Sequence, residues 1–185
     1  MPIYDNNGTS NYEVYGSELN LLATPTATWK SYKNIDASAG GTGTATATVS
    51  DTSPYLSAQT VYASYVTAGC LTKTAIDFSG YTKLKITGYF HGDILEGSGY
   101  WSRARCDFGC STNNTISTYH NNGTLVNESV TWEGGKLFFT AVAYMSGTFT
   151  YDISDLNGKY YLKLFSMRGG LAPSSSFEVT AMVLE

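Results

Sequence analysis

The stretch Ile76–Phe90, IDFSGYTKLKITGYF, decides the class of fold. From Lys83 onward it alternates strictly, with Leu84, Ile86 and Gly88 on one side and Lys83, Lys85 and Thr87 on the other. That is the pattern of a strand with one face in a core and one in water. Ahead of it stands Asp77-x-Ser79, whose side chains bond their own backbone at a turn. The same grammar recurs at Tyr151–Phe165, YDISDLNGKYYLKLF, where Asp152 and Ser154 precede a short turn and another lysine-bearing alternating strand. Two such units in one chain predict a β domain.

Working outward, Thr42, Thr44, Thr46 and Thr48 alternate with Gly and Ala, giving a strand whose small face packs closely or meets another chain. In Gln59–Gly69, Val61, Ala63 and Tyr65 alternate with Tyr62, Ser64 and Val66, which reads as a further single strand. Gly92–Asn114 begins as a glycine-bounded loop and continues as a less regular strand. Lys136–Met145, Gly147–Ile153, Lys159–Met167 and Ser176–Glu185 complete the run, the last with Phe177, Val179, Ala181 and Val183 inward. About eight to ten strands with no helical run predict an all-β chain, an antiparallel β-sandwich of jelly-roll type over residues 26–185.

Residues 1–25 read differently, as an extended N-terminal arm. Tyr4–Thr9, YDNNGT, is nearly repeated at Tyr119–Thr124, YHNNGT, and Asn-Gly favours a tight bend at both places. Beyond the first bend, Tyr12, Val14, Leu19, Leu21 and Leu22 follow as docking residues, together with Tyr4. About 20 extended residues reach on the order of 65 Å, enough to cross a neighbouring subunit and add a strand to its sheet edge.

Composition narrows the function. At 185 residues, with 14% charged side chains and 15 tyrosines, the chain suits one β domain with small polar faces and an aromatic surface. The net charge of -4 and the scattering of its eleven Lys and Arg provide no basic stripe, which argues against a nucleic-acid partner. No run approaches the roughly 18 apolar residues of a membrane span, and the N-terminus lacks the pattern of a signal peptide. Cys70, Cys106 and Cys110 are an odd set. On one strand Cys106 and Cys110 lie about 13 Å apart, beyond the roughly 7 Å limit for a bridge. Free buried thiols are the first reading; a bridge through a loop or a metal site is the alternative. A zinc site needs more ligands than His91 and His120 provide at these spacings.

Catalytic constellations are thin. Asp93 and Glu96 share a loop beside His91, which suits acid–base work and equally suits an ordinary polar loop. No catalytic residue, metal or cofactor is therefore expected; Asp77 and Asp152 are candidates for calcium and, first of all, for capping their own turns. Binding is better supported. Tyr100, Trp101, Tyr119 and Trp132 stand among Gly, Ser and Asn, with Asn121 and Asn122 adjacent to Tyr119. Flat rings flanked by amides and hydroxyls hold sugars by stacking on the pyranose and bonding its hydroxyls. The same aromatics also suit a core or a subunit interface, and Trp29 and Trp132 suit a core in particular.

The arm YDNNGTSNYEVYG resembles a segment found, often in tandem, near the N-termini of virion proteins from phages of gut Firmicutes. IDFSGYTKLKI, YDISDLNGKYYLKL and FEVTAMVLE resemble the β-sandwich domains of such tail-fibre and head-fibre proteins, and also carbohydrate-binding modules of secreted glycosidases. The first resemblance implies a non-enzymatic fibre or decoration subunit, attached by its arm to other virion proteins and assembled in the bacterial host cytoplasm. Such a subunit would be homotrimeric and would present a sandwich to host or mucosal glycans. The second implies a sugar-binding module cut from a secreted glycoside hydrolase.

Overall fold

The computed structural model describes residues 3–4, 10–11, 18–35, 42–64, 66–94, 103–116, 131–168 and 174–185. The elements in chain order are β1 (Ile3–Tyr4), β2 (Ser10–Asn11), β3 (Leu19–Asn20), α1 (Pro25–Thr28), β4 (Trp29–Ile35), β5 (Thr42–Val49), β6 (Leu56–Ser64) and β7 (Val66–Thr72). They continue with β8 (Ile76–Asp77), β9 (Lys83–His91), β10 (Asp93–Ile94), β11 (Arg103–Ser111), β12 (Lys136–Ala141), β13 (Met145–Asp152), β14 (Lys159–Arg168) and β15 (Ser174–Leu184). Apart from the small β1–β2 hairpin, they form two sheets. The front sheet has the order β13-β9-β15-β6-β5, with β3 also on β15; the back sheet has the order β10-β11-β14-β7-β4, with β12 on β11 and β8 on β14. All the pairings among the described residues are antiparallel. The chain is an antiparallel β-sandwich of jelly-roll type.

The strand that predicted the fold behaves as its pattern requires: β9 buries Leu84, Ile86, Gly88 and Phe90 and leaves the intervening residues partly in water. Both Asp-x-Ser units are corners at which the chain changes sheet. Ser79 N–H donates to Asp77 Oδ1 (2.9 Å), and Ser154 donates to Asp152 Oδ1 from both its backbone (2.9 Å) and its hydroxyl (2.7 Å). The residue between Asp and Ser then points inward, and Phe78 and Ile153 are fully buried. These bonds hold both carboxyls below the usual carboxylate range, which is the turn-capping role.

Three expectations need correction. Gln59–Gly69 is two strands, because β6 ends at Ser64 in the front sheet and β7 begins at Val66 in the back sheet. In β15, Phe177 and Val179 face inward, but a register shift between Val179 and Ala181 turns Met182 and Leu184 inward in place of Ala181 and Val183. The cause lies opposite: a Cβ at Gly88 would stand 2.2 Å from the Glu178 carbonyl oxygen, so the backbones touch where the bulge forms. Finally, β14 is covered on both faces, Lys163, Phe165 and Met167 included, rather than half-exposed.

Of the residues read as arm, Leu19 and Asn20 pair with β15, and Leu21 and Leu22 are core residues at 3% and 4% exposure. Trp29, also core, donates from Nε1 to the Leu21 carbonyl (2.9 Å). These leucines serve this chain's own sandwich; spacing alone does not distinguish docking within a chain from docking on a neighbour. Tyr4 lies in β1, and Tyr12 and Val14 lie outside the described residues.

Candidate functional site: the outer face of the front sheet

Of the glycan-binding candidates read from the sequence, only Trp132 lies among the described residues. Tyr100, Trp101, Tyr119, Asn121 and Asn122 lie outside the described residues, as does Glu96. Trp132 stacks on Phe165 with centroids 5.4 Å apart and planes 13° from parallel. Together with Ile116 it covers Phe165 and Met167 on the outer face of the back sheet. A Cβ at Gly109 would come 2.5 Å from the Trp132 ring, so that glycine is the seat of the indole. Trp132 thus has one ring face committed to packing. Beneath the same layer the Lys163 ammonium donates to the Thr131 carbonyl (2.8 Å), to Asn113 Oδ1 (3.2 Å) and to the Thr115 carbonyl. It ties Asn113, Thr115 and Thr131 to β14. Burial pushes its pKa down to about 8.

Cys70, Cys106 and Cys110 are free and buried. Burial pushes Cys70 up to about 12 and Cys110 up to about 11, and raises Cys106 as well. None is activated in the manner of a nucleophile. Among the described residues no group of three or more His, Cys, Asp or Glu is placed to hold a metal ion.

The outer face of the front sheet offers a different constellation. Because β9 buries its even positions, Thr87, Tyr89 and His91 project from the other side. Tyr89 and His91 lie with planes 22° apart and centroids at 6.4 Å, and Tyr144, 66% exposed just ahead of β13, meets Tyr89 edge to face at 5.1 Å. Sheet register then sets polar groups in line with these rings. One row runs Ser146–Tyr89–Glu178–Ser57–Thr48 across β13, β9, β15, β6 and β5; a second runs His91–Ser176–Gln59–Thr46. At about 4.8 Å between strands the first row is about 19 Å long. A shallow depression of about 550 Å³ lies on these rows, lined by Tyr89, Tyr144, Gln59, Glu178 and small hydroxyl residues. Glu178 is its charged lining residue.

Chemically, such a surface presents ring faces and edges for apolar C–H groups, and amide, carboxylate and hydroxyl oxygens for hydroxyl donors. Sequence reasoning that looked for ligand aromatics in loops passed over Tyr89 and His91. Their signal was present: both fall on the polar side of the most regular strand in the chain.

No protein-family model matches this chain, and no curated protein matches it in sequence. Its fold is similar to that in the solved structure described as "CBM4 structure and function", with TM-score 0.42 and 13% identity over 92% of this chain and 96% of that one. It is similar also to the family 11 carbohydrate-binding module from Clostridium thermocellum in complex with a β-1,3-1,4-mixed-linked tetrasaccharide, with TM-score 0.40 and 11% identity over 90% and 94%. A third similar structure is TmCBM61 in complex with β-1,4-galactotriose, with TM-score 0.40 and 10% identity over 90% and 98%.

Proposed function

We propose that this chain is a non-catalytic carbohydrate-binding module and that it binds across the outer face of the front sheet. The observation that carries the reading is the aromatic strip Tyr144–Tyr89–His91 set in register with Glu178, Gln59 and Ser176 on an open face. A pyranose laid on the tyrosines puts its C–H face on the rings and its hydroxyls within the two polar rows. Glu178 favours a neutral, hydroxyl-rich ligand, since a carboxylate in the floor repels an acidic sugar.

Affinity electrophoresis and calorimetric titration against a panel of soluble neutral polysaccharides test this. Tyr144→Ala and Tyr89→Ala are expected to weaken binding about tenfold each, equal to about 1.4 kcal/mol, with the urea midpoint of Tyr144→Ala unchanged. No retention by any member of the panel, or retention indifferent to both substitutions, refutes the assignment.

The setting of the module is proposed on the N-terminal resemblance alone: display as a homotrimer on a virion, through residues 1–17. Light scattering coupled to size exclusion tests it, and a monomer overturns the trimer and favours a module excised from a larger enzyme.

A further inference from the structure

The depression on the front sheet continues past the edge of that sheet. Thr46 on β5 lines it and also lines a second depression of about 490 Å³ on the other side of the same strand, between β5 and β4. A third, of about 400 Å³, adjoins the second and shares Ser31, Ala47 and Thr48 with it. The first polar row, which begins at Ser146, ends at Thr48 and so runs out at the mouth of this groove. From Tyr89 to Thr48 is three strand spacings, about 14 Å, and packed sheets stand about 10 Å apart.

Along this path the charge changes sign. Glu178 is the charged lining residue of the front-face depression, whereas the groove has Lys33 in its nearer half, Lys30 and Lys73 in its farther half and, among the described residues, no acidic side chain in either. Lys73 already donates to the Thr26 carbonyl (2.7 Å). Asp51, beyond Thr26, accepts from the Thr26 N–H (3.0 Å) and hydroxyl (2.6 Å). Lys30 and Lys33 are exposed, and their odd separation sets them on opposite faces of β4, about 10 Å apart along it. A group lying on the edge of β4 therefore has an ammonium on either side, with Ser31 between. We propose that the groove between β4 and β5 takes an anionic sugar, carboxylated or sulfated, of the same glycan chain whose neutral sugars lie on Tyr89 and Tyr144; the inference rests on the front-face binding proposed above. Continuity through Thr46 is what assigns both depressions to one chain. The ligand class is then a polysaccharide with acid groups spaced along an otherwise neutral chain. Glu178 keeps those groups off the aromatic strip, and the lysines receive them roughly 20 Å away.

Calorimetric titration of the full chain with glucuronoxylan, xanthan and a carrageenan, each beside its carboxyl-reduced or desulfated counterpart, tests this. For at least one pair the acidic form is expected to bind about fivefold more tightly at low salt, the advantage shrinking as ionic strength rises. Which pair shows it identifies the acid group. Lys30→Ala with Lys33→Ala should abolish the advantage and leave the affinity for the neutral counterpart unchanged, since both side chains are exposed. Tyr144→Ala should weaken both forms alike. No preference for any acidic form, or a preference that survives the lysine variant, overturns the inference; neutral counterparts still bound through Tyr144 would leave the front-face assignment standing.

Discussion

Replacing Ser175 by alanine tests how the two sheets are joined at the polar end of their core. Thr60 on β6, Ser175 on β15 and Ser166 on β14 are all fully buried. Their hydroxyls meet at 2.9 Å (Thr60–Ser175), 2.5 Å (Ser166–Ser175) and 3.3 Å (Thr60–Ser166), and Ser175 also donates to the Met167 carbonyl at 2.9 Å. Ser175 is the hub. Without it, Thr60 and Ser166 keep their long mutual contact, Ser166 keeps its contact with the Cys106 thiol, and the Met167 carbonyl loses a donor. A buried polar group left without its partner costs about 1–3 kcal/mol, whereas removing all partners together in favour of apolar groups of like shape is nearly neutral. Ser175→Ala is therefore expected to cost about 2 kcal/mol, a fall of about 1 M in the urea midpoint at a slope of about 2 kcal/mol per molar. The triple variant Thr60→Val, Ser166→Ala, Ser175→Ala should lose less than Ser175→Ala alone. Urea titrations followed by tryptophan fluorescence measure both. Additive losses, with the triple variant falling by the sum of the three singles, refute the network and reduce each hydroxyl to an independent contact.

Three other outcomes follow from the packing and the corners. The native protein should be inert to Ellman's reagent at pH 8 and release about three equivalents in denaturant, because burial holds the Cys70, Cys106 and Cys110 thiols protonated; a rapid native equivalent would contradict the burial. Gly109→Ala should cost about 1–3 kcal/mol through collision with the Trp132 ring, read as a lowered urea midpoint. Asp152 has its carboxyl lowered by the Ser154 hydroxyl and N–H from an ordinary value of 3.8. Its stabilising contribution is thus present above that pH and lost as pH falls through the folded value. The urea-midpoint gap between wild type and Asp152→Ala should be open at pH 7 and close below about pH 3.8; a pH-independent gap would mean that the carboxylate charge is irrelevant.

Local pattern made much of the sandwich legible. Leu84, Ile86 and Gly88 announced β9, and Asp-x-Ser announced both corners, because alternation and turn bonding depend on residues a few positions apart. What escaped depends on residues far apart in sequence. The bulge in β15 arises from the backbone of Gly88 opposite Glu178, a contact that alternation in Ser176–Glu185 cannot contain. Lys163 looks like a solvent-facing lysine until Thr131, Thr115 and Asn113 arrive over it. Leu21 and Leu22 have the same spacing whether they fill their own core or a neighbour's. The candidate site divides the same way: the outward placement of Tyr89 and His91 was written in β9, but their alignment with Glu178, Ser176 and Gln59 required the pairing of β15 with both β9 and β6.

The two Asp-x-Ser corners explain why that alignment is stable. One corner carries the chain from β8 in the back sheet to β9 in the front, and the other carries it from β13 in the front to β14 in the back. They are bonded to each other's strands: Phe78 N–H donates to the Gly158 carbonyl (2.8 Å), Ile153 N–H to the Thr82 carbonyl (2.9 Å), and the Ser79 hydroxyl to Asn157 Oδ1 (3.0 Å). Each drives its intervening apolar residue, Phe78 or Ile153, into the common core. The mutual lock sets where β9 begins and β13 ends, and so their register, which places Tyr89 opposite Ser146 and next to Tyr144. The repeated motif that makes the fold readable is thus the device that positions the aromatic strip, and a corner variant such as Ser79→Ala should loosen ligand binding only to the extent that it loosens that register.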